Sequence, residues 1–147
     1  LWGGQPFSSA GQHYTVRPLD FLSPPPPVQQ PRIPIWVVGV CNSTRSLTRV
    51  ARYDGLLPSA RGADGRMGQA TPDEVRAALS QLQTLRGGGA QLDVVVEGAA
   101  RATEIKAPWQ AAGATWWLEA AWSNMPGPDL TYADALARTR DRITAGP

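Results

Sequence analysis

The polar chemistry of this sequence gathers in Gly39-Val40-Cys41-Asn42-Ser43-Thr44-Arg45, directly after the apolar run Ile33 to Val40. Glycine lets a backbone approach a ligand closely. Asn42, Ser43 and Thr44 place amide and hydroxyl donors at the start of a predicted helix, where the helix dipole favours an anion. The Arg45 guanidinium adds a forked donor. The same residues also read as plain helix capping by Asn42 or Ser43. Two carboxylates, Glu97 and Glu119, end later apolar runs. As a pair they suit general acid–base work; singly they suit helix capping or an ion pair with Arg101 or Arg17. A thiolate at Cys41 would need a base, and His13 is the single histidine of the chain. The simpler roles are a small pocket or core residue for Cys41 and a structural one for His13. Trp36, Trp116 and Trp117 fall inside predicted strands, a core or lumen position. Trp122 lies past a strand end and suits stacking on a flat ring. Trp2 and Trp109 read as packing residues.

The elements that must position these residues alternate. Four short apolar runs, Ile33 to Val40, Tyr53 to Leu57, Leu92 to Val96 and Thr115 to Ala121, predict strands. They do not alternate with polar residues, which predicts a parallel sheet buried on both faces. Helices are predicted between them. Ser43 to Arg52 carries Leu47, Val50 and Ala51 on one stripe. Thr71 to Leu85 opens with Thr71-Pro72-Asp73-Glu74, a capping box with proline at the first helical position, and Gly87 to Gly89 end it. Further helices are predicted from Thr103 to Ala112 and from Tyr132 to Ala145, the last with Asp134 favourably placed in its first turn. The fold class is α/β: four consecutive parallel βα units. They form either a small open sheet or half of a (β/α)₈ barrel, since a whole barrel takes about 250 residues. In both, ligands bind at the carboxyl ends of the strands. Ahead of the units, residues 1–32 form a hairpin and a Pro-rich connecting segment, the hairpin between Gln5 and Val16 with Gly11 near its turn. Pro24 to Pro27, with Pro31 and Pro34 beyond, predict an extended surface stretch. The βα region is 33–147.

Composition narrows the classes. The chain has 147 residues, 15 Gly and 14 Pro, 42% hydrophobic and 18% charged residues, which fits one globular domain and excludes wholesale disorder. Net charge is +2 with the two signs interspersed, so no nucleic-acid stripe stands out. No apolar run reaches membrane-spanning length. One cysteine and one histidine exclude a disulfide framework and the usual Cys- or His-rich metal sites. No glycine-rich phosphate loop is present. Residue 1 is Leu and the chain opens mid-phrase, which reads as a chain whose beginning is missing.

Four phrases in order carry a resemblance. They are Leu1-Trp2 with Pro6-Phe7, Gly11 and His13-Tyr14; PPPPVQQPRIPIWVVG from Pro24 to Gly39; ARYDGLLP from Ala51 to Pro58; and AGATWWLEA from Ala112 to Ala120. Together they resemble the C-terminal part of the luciferase-like flavin-dependent oxidoreductases, the bacterial luciferase superfamily. The resemblance implies the C-terminal half of a (β/α)₈ TIM barrel. It implies a flavin cofactor, FMN or coenzyme F-420, used for hydride transfer or oxygen activation on a small organic substrate. It places cofactor contacts at Gly39, Val40, Cys41, Asn42 and Ser43, where relatives often carry a bulkier stretch. Glu97, Glu119 and Trp122 then fall in the substrate pocket, and no catalytic residue is assigned. A cytoplasmic enzyme fragment is expected, inactive alone, without nucleic-acid or membrane partners, that needs the missing half-barrel or self-associates. The alternative is a non-catalytic α/β binding or assembly domain with a Pro-rich docking arm.

Overall fold

The computed structural model describes residues 6–19, 25, 27–89, 91–98, 103–120 and 125–145. The chain divides into two units, Leu1–Ile35 and Trp36–Pro147. In the first, β1 (Phe7–Ala10) and β2 (Thr15–Leu19) pair antiparallel, with Ser9 opposite Val16 and Ala10 opposite Thr15. The turn is closed by the Gly11 N–H donating to the Tyr14 carbonyl at 2.8 Å. This is the expected hairpin, with its second strand running on to Leu19. His13 is exposed, and residues 27–35 carry neither helix nor strand.

The second unit runs β3 (Trp36–Val40), α1 (Thr44–Val50), β4 (Gly55–Arg61), β5 (Met67–Gln69), α2 (Pro72–Arg86), β6 (Asp93–Gly98), α3 (Thr103–Ala111), β7 (Trp116–Glu119) and α4 (Tyr132–Thr144). Strands β3, β4, β6 and β7 are parallel and lie side by side in chain order. The four predicted strands and four predicted helices are thus present. Local chemistry explains the boundaries. Thr71 Oγ1 accepts from the Glu74 N–H while the Glu74 carboxylate accepts from the Thr71 N–H, the reciprocal cap that starts α2. Gly87, at φ 63°, ends it in the left-handed conformation glycine tolerates.

Alternation along the strands separates two faces. Val37, Leu56 and Val94 point to one, where they pack with Leu47 and Val50 of α1, Val75, Ala78 and Leu82 of α2, and Trp109 of α3. Each fully buried Leu or Val there contributes about 1.5–3 kcal/mol relative to exposure. Gly39 is on this face too. A Cβ on it would lie 2.4 Å from Leu56 Cδ1 and 2.8 Å from Val50 Cγ2, so α1 reaches its packing distance over a missing side chain.

The other face corrects the expectation of a sheet buried on both sides. Trp36, Val38, Trp116 and Leu118 are exposed, at 36, 55, 51 and 36%. Val94 to Val96 of β6 are the three consecutive strand residues buried whichever way they point. The packed helices cover one face of the sheet, so the apolar runs of β3 and β7 are half buried. No described helix is long and apolar enough to cross a membrane.

Candidate ligand cleft at the strand ends

Strand β4 creates the cleft by having two neighbours on one edge. Its first edge is filled by β3, paired from Trp36–Gly55 through Val40–Ser59. On the opposite edge β6 pairs at Gly55–Asp93 and Leu56–Val94. From Ser59 to Arg61 that same edge is taken by β5, running antiparallel. Strands β4 and β6 therefore fork towards their carboxyl ends. The return turn before β5 is fixed by Gly65 at φ 79°, by the Arg66 N–H on Asp64 Oδ1 at 3.0 Å and by the Gly62 N–H on the Arg66 carbonyl at 2.9 Å. Gln69 spans the fork, its Nε2 donating to the Glu97 carbonyl at 2.8 Å.

A cavity of about 520 Å³ opens in the fork, with Val38, Leu57, Ser59, Gln69, Val95 and Glu97 among its walls. That volume falls in the range of small-molecule sites, roughly 300–1,000 Å³. The walls are mostly apolar, with one carboxylate and one carboxamide. No cation is among the lining residues described, and no group of metal-ligating side chains occurs among the described residues.

The amino end of the same face is built differently. The Trp36 indole N–H donates to Asp93 Oδ2 at 3.0 Å and that of Trp116 to Asp93 Oδ1 at 3.3 Å. The rings, from the first and last strands of the parallel row, meet with centroids 5.7 Å apart and planes tilted by 48°. Trp36 lies across Gly55, where a Cβ would be 2.3 Å from its Cδ1. The face is bridged by indoles at one end and open at the other.

Of the sequence-predicted site residues, Glu97 lines the cleft. The five of the β3–α1 turn have partners within the fold. The Val40 N–H donates to Ser46 Oγ at 3.0 Å and its carbonyl accepts from the Ser43 N–H at 3.0 Å. Cys41 is buried in the core, and burial, reinforced by the Glu74 charge, pushes its thiol up to about 11. Asn42 mimics a strand, donating to the Arg61 carbonyl at 2.9 Å and accepting from its N–H at 3.2 Å. Ser43 caps α1 by accepting from the Ser46 N–H. Arg45 is exposed.

Glu119 is not brought to Glu97. Glu97 pairs in register with Leu118, and Gly98 with Glu119, so alternation sends the two carboxylates to opposite faces. Glu119 instead takes a two-point contact from Arg142 of α4, with Nε to Oε1 and Nη2 to Oε2 both at 3.1 Å. The Arg142 hydrogen bond and charge hold its carboxyl below the usual range. The ion pair anticipated for this carboxylate is thus made with Arg142. Arg101, Trp122 and Trp2 lie outside the described residues.

Sequence reasoning missed β5 and with it Gln69, the residue that spans the fork. The available signal was Asp64-Gly65, a dipeptide typical of tight strand returns. Compared with models of protein families, with curated proteins and with solved structures, the chain shows no significant match.

Proposed function

We propose that this chain is the C-terminal half of a (β/α)₈ barrel from a cytoplasmic, luciferase-like oxidoreductase. In that reading it supplies one wall of a pocket for a flavin, FMN or coenzyme F-420, and for a small organic substrate, and it does not turn over alone. The observation that carries the reading is the two-ended parallel face. Four strands in chain order offer an apolar side whose amino end is bridged by Trp36 and Trp116 and whose carboxyl end opens into a 520 Å³ cleft. Barrel enzymes place their sites at the carboxyl ends of strands over a packed interior. The four sequence phrases add support.

The cleft suits part of the cofactor. Val38, Leu57 and Val95 form a wall for a flat ring, while the Glu97 carboxylate and the Gln69 carboxamide suit its polar rim. The phosphate tail does not fit the described residues: the cleft lining has no cation, and the Val40, Asn42 and Ser43 groups of the β3–α1 turn are already engaged. A flavin would bring the redox chemistry itself. The role of this chain is to bind and orient the ring, and the tail falls to the complementary half.

Titrating FMN and F-420 into the chain, alone and joined to a complementary (β/α)₄ half-barrel, tests this by fluorescence. Binding by the joined form, weakened at least fivefold by Glu97→Ala, is expected. No binding by the joined form overturns the cofactor assignment. A second reading, the non-catalytic assembly domain with a Pro-rich docking arm, is favoured by the internal engagement of that turn. It predicts no flavin binding by either form.

A further inference from the structure

The outer edge of β3 is where a further strand would add to the parallel row, and two side chains of α1 reach it. The Cys41 N–H donates to the Ser59 carbonyl and the Gly39 carbonyl accepts from Ser59 Oγ, so the odd-numbered residues of this strand turn their backbone groups towards β4. Trp36, Val38 and Val40 therefore turn theirs outward. Three of these outward groups are occupied. The Val38 carbonyl accepts from Arg49 Nη2 at 2.8 Å. The Val40 N–H donates to Ser46 Oγ at 3.0 Å, and the Val40 carbonyl accepts from the Ser43 N–H at 3.0 Å. The Ser43 bond is part of the turn that starts α1. The other two come from side chains on one helix, three residues apart, which places them on neighbouring positions of its surface.

We propose that Ser46 and Arg49 form a latch over the outer edge of β3 that blocks strand addition there by a second copy of this chain. Unpaired edge groups template intermolecular pairing, and charged side chains at an edge oppose it. The latch acts in both ways. It uses up the Val40 N–H and the Val38 carbonyl, the two groups that a strand residue opposite Gly39 would bridge, and it sets a guanidinium where that residue would lie. A strand that pairs opposite Gly39 at this edge has to displace both side chains first. The inference goes beyond the half-barrel reading, in which the adjoining barrel strand displaces these two side chains when the halves close, and it is tested without cofactor.

Native-state amide exchange and sedimentation velocity read it directly. In Ser46→Ala the Val40 amide exchanges at least tenfold faster than in the wild-type chain, while the Val94 to Val96 amides stay as slow, showing the fold intact. The double variant Ser46→Ala/Arg49→Ala sediments as larger, concentration-dependent species, and keeping a donor with Arg49→Lys in place of Arg49→Ala reduces that shift. An unchanged Val40 exchange rate in Ser46→Ala overturns the proposal, as does a folded double variant that sediments like wild type. If the double variant loses Val94 to Val96 protection, the Ser46→Ala exchange rate decides.

Discussion

Gly55 and Cys41 are small residues that the fold uses in opposite ways. At Gly55 the absent side chain is filled by an indole: Trp36 Cδ1 sits 2.3 Å from where a Cβ would be, with Cγ and Nε1 at 3.0 Å. Gly55→Ala must therefore push the Trp36 ring off its place, and with it the hydrogen bond to Asp93. Overpacking of this kind costs about 1–3 kcal/mol. Urea unfolding should show that loss, and near-UV circular dichroism should lose the signal of the Trp36–Trp116 pair. Cys41 is the reverse case, a reactive group made inert by its surroundings. With the thiol pushed up to about 11 by burial, very little thiolate exists at pH 8. Alkylation by iodoacetamide at pH 8 should be at least tenfold slower than for the urea-unfolded chain, whose thiol titrates near 9.0. The linkage sign follows from the raised value. The folded state holds the proton more tightly, so this contribution to stability is complete below pH 9 and is lost as pH rises towards 11. Comparing Cys41→Ala with wild type across that window isolates it.

At the scale of elements, side chains tie the later segments to the sheet. Arg142 of α4 grips Glu119 of β7 at two points, with the two side chains 16 and 31% exposed. The carboxyl of Glu119 titrates below its ordinary value near 4.5 because the bound guanidinium favours the ionised form. Its contribution is present above the unfolded carboxyl's pKa and is lost as pH falls through the lower folded one. As pH falls below 4.5, Glu119→Gln should lose less stability than wild type, and Arg142→Ala should match it; equal acid sensitivity in all three chains would refute the pairing. Elements with a strong local signal were legible in the sequence. Thr71 and Glu74 announced α2, and Gly11 announced the hairpin turn. Strand β5 was not, because three residues with a central glycine, Met67-Gly68-Gln69, carry no periodicity. Its partner register is set by the Asp64-Gly65 return, a purely local device. The cleft was legible in the same uneven way. Glu97 followed from the rule that strand ends face ligands, but Gln69 depended on the unread strand. Asn42 and Ser43 showed the right donor types, yet type does not reveal that Arg61 and the first turn of α1 use them.

For the sheet-bearing unit as a whole, the uncovered face is the dominant unsolved packing problem. Trp36, Val38, Trp116 and Leu118 place four large apolar side chains on one side of a sheet whose helices pack on the other. Apolar runs without alternation made this face read as buried, because sequence records which residues are apolar and not how many helices are present to cover them. Exposed patches of this kind drive association. Val38 and Leu118 stand on the first and last parallel strands and are 55 and 36% exposed, so charging them should cost little in the unit itself. The double substitution Val38→Lys/Leu118→Lys should therefore lower concentration-dependent association in sedimentation and dye binding by anilinonaphthalene sulfonate, with the urea midpoint nearly unchanged. Ser46 and Arg49 act at the β3 edge and these two at the face, so the two pairs of substitutions should move association in opposite directions. A wild-type chain that is monomeric and binds no dye at any concentration would mean that the face is satisfied without a partner, and the half-barrel reading would lose its main physical support.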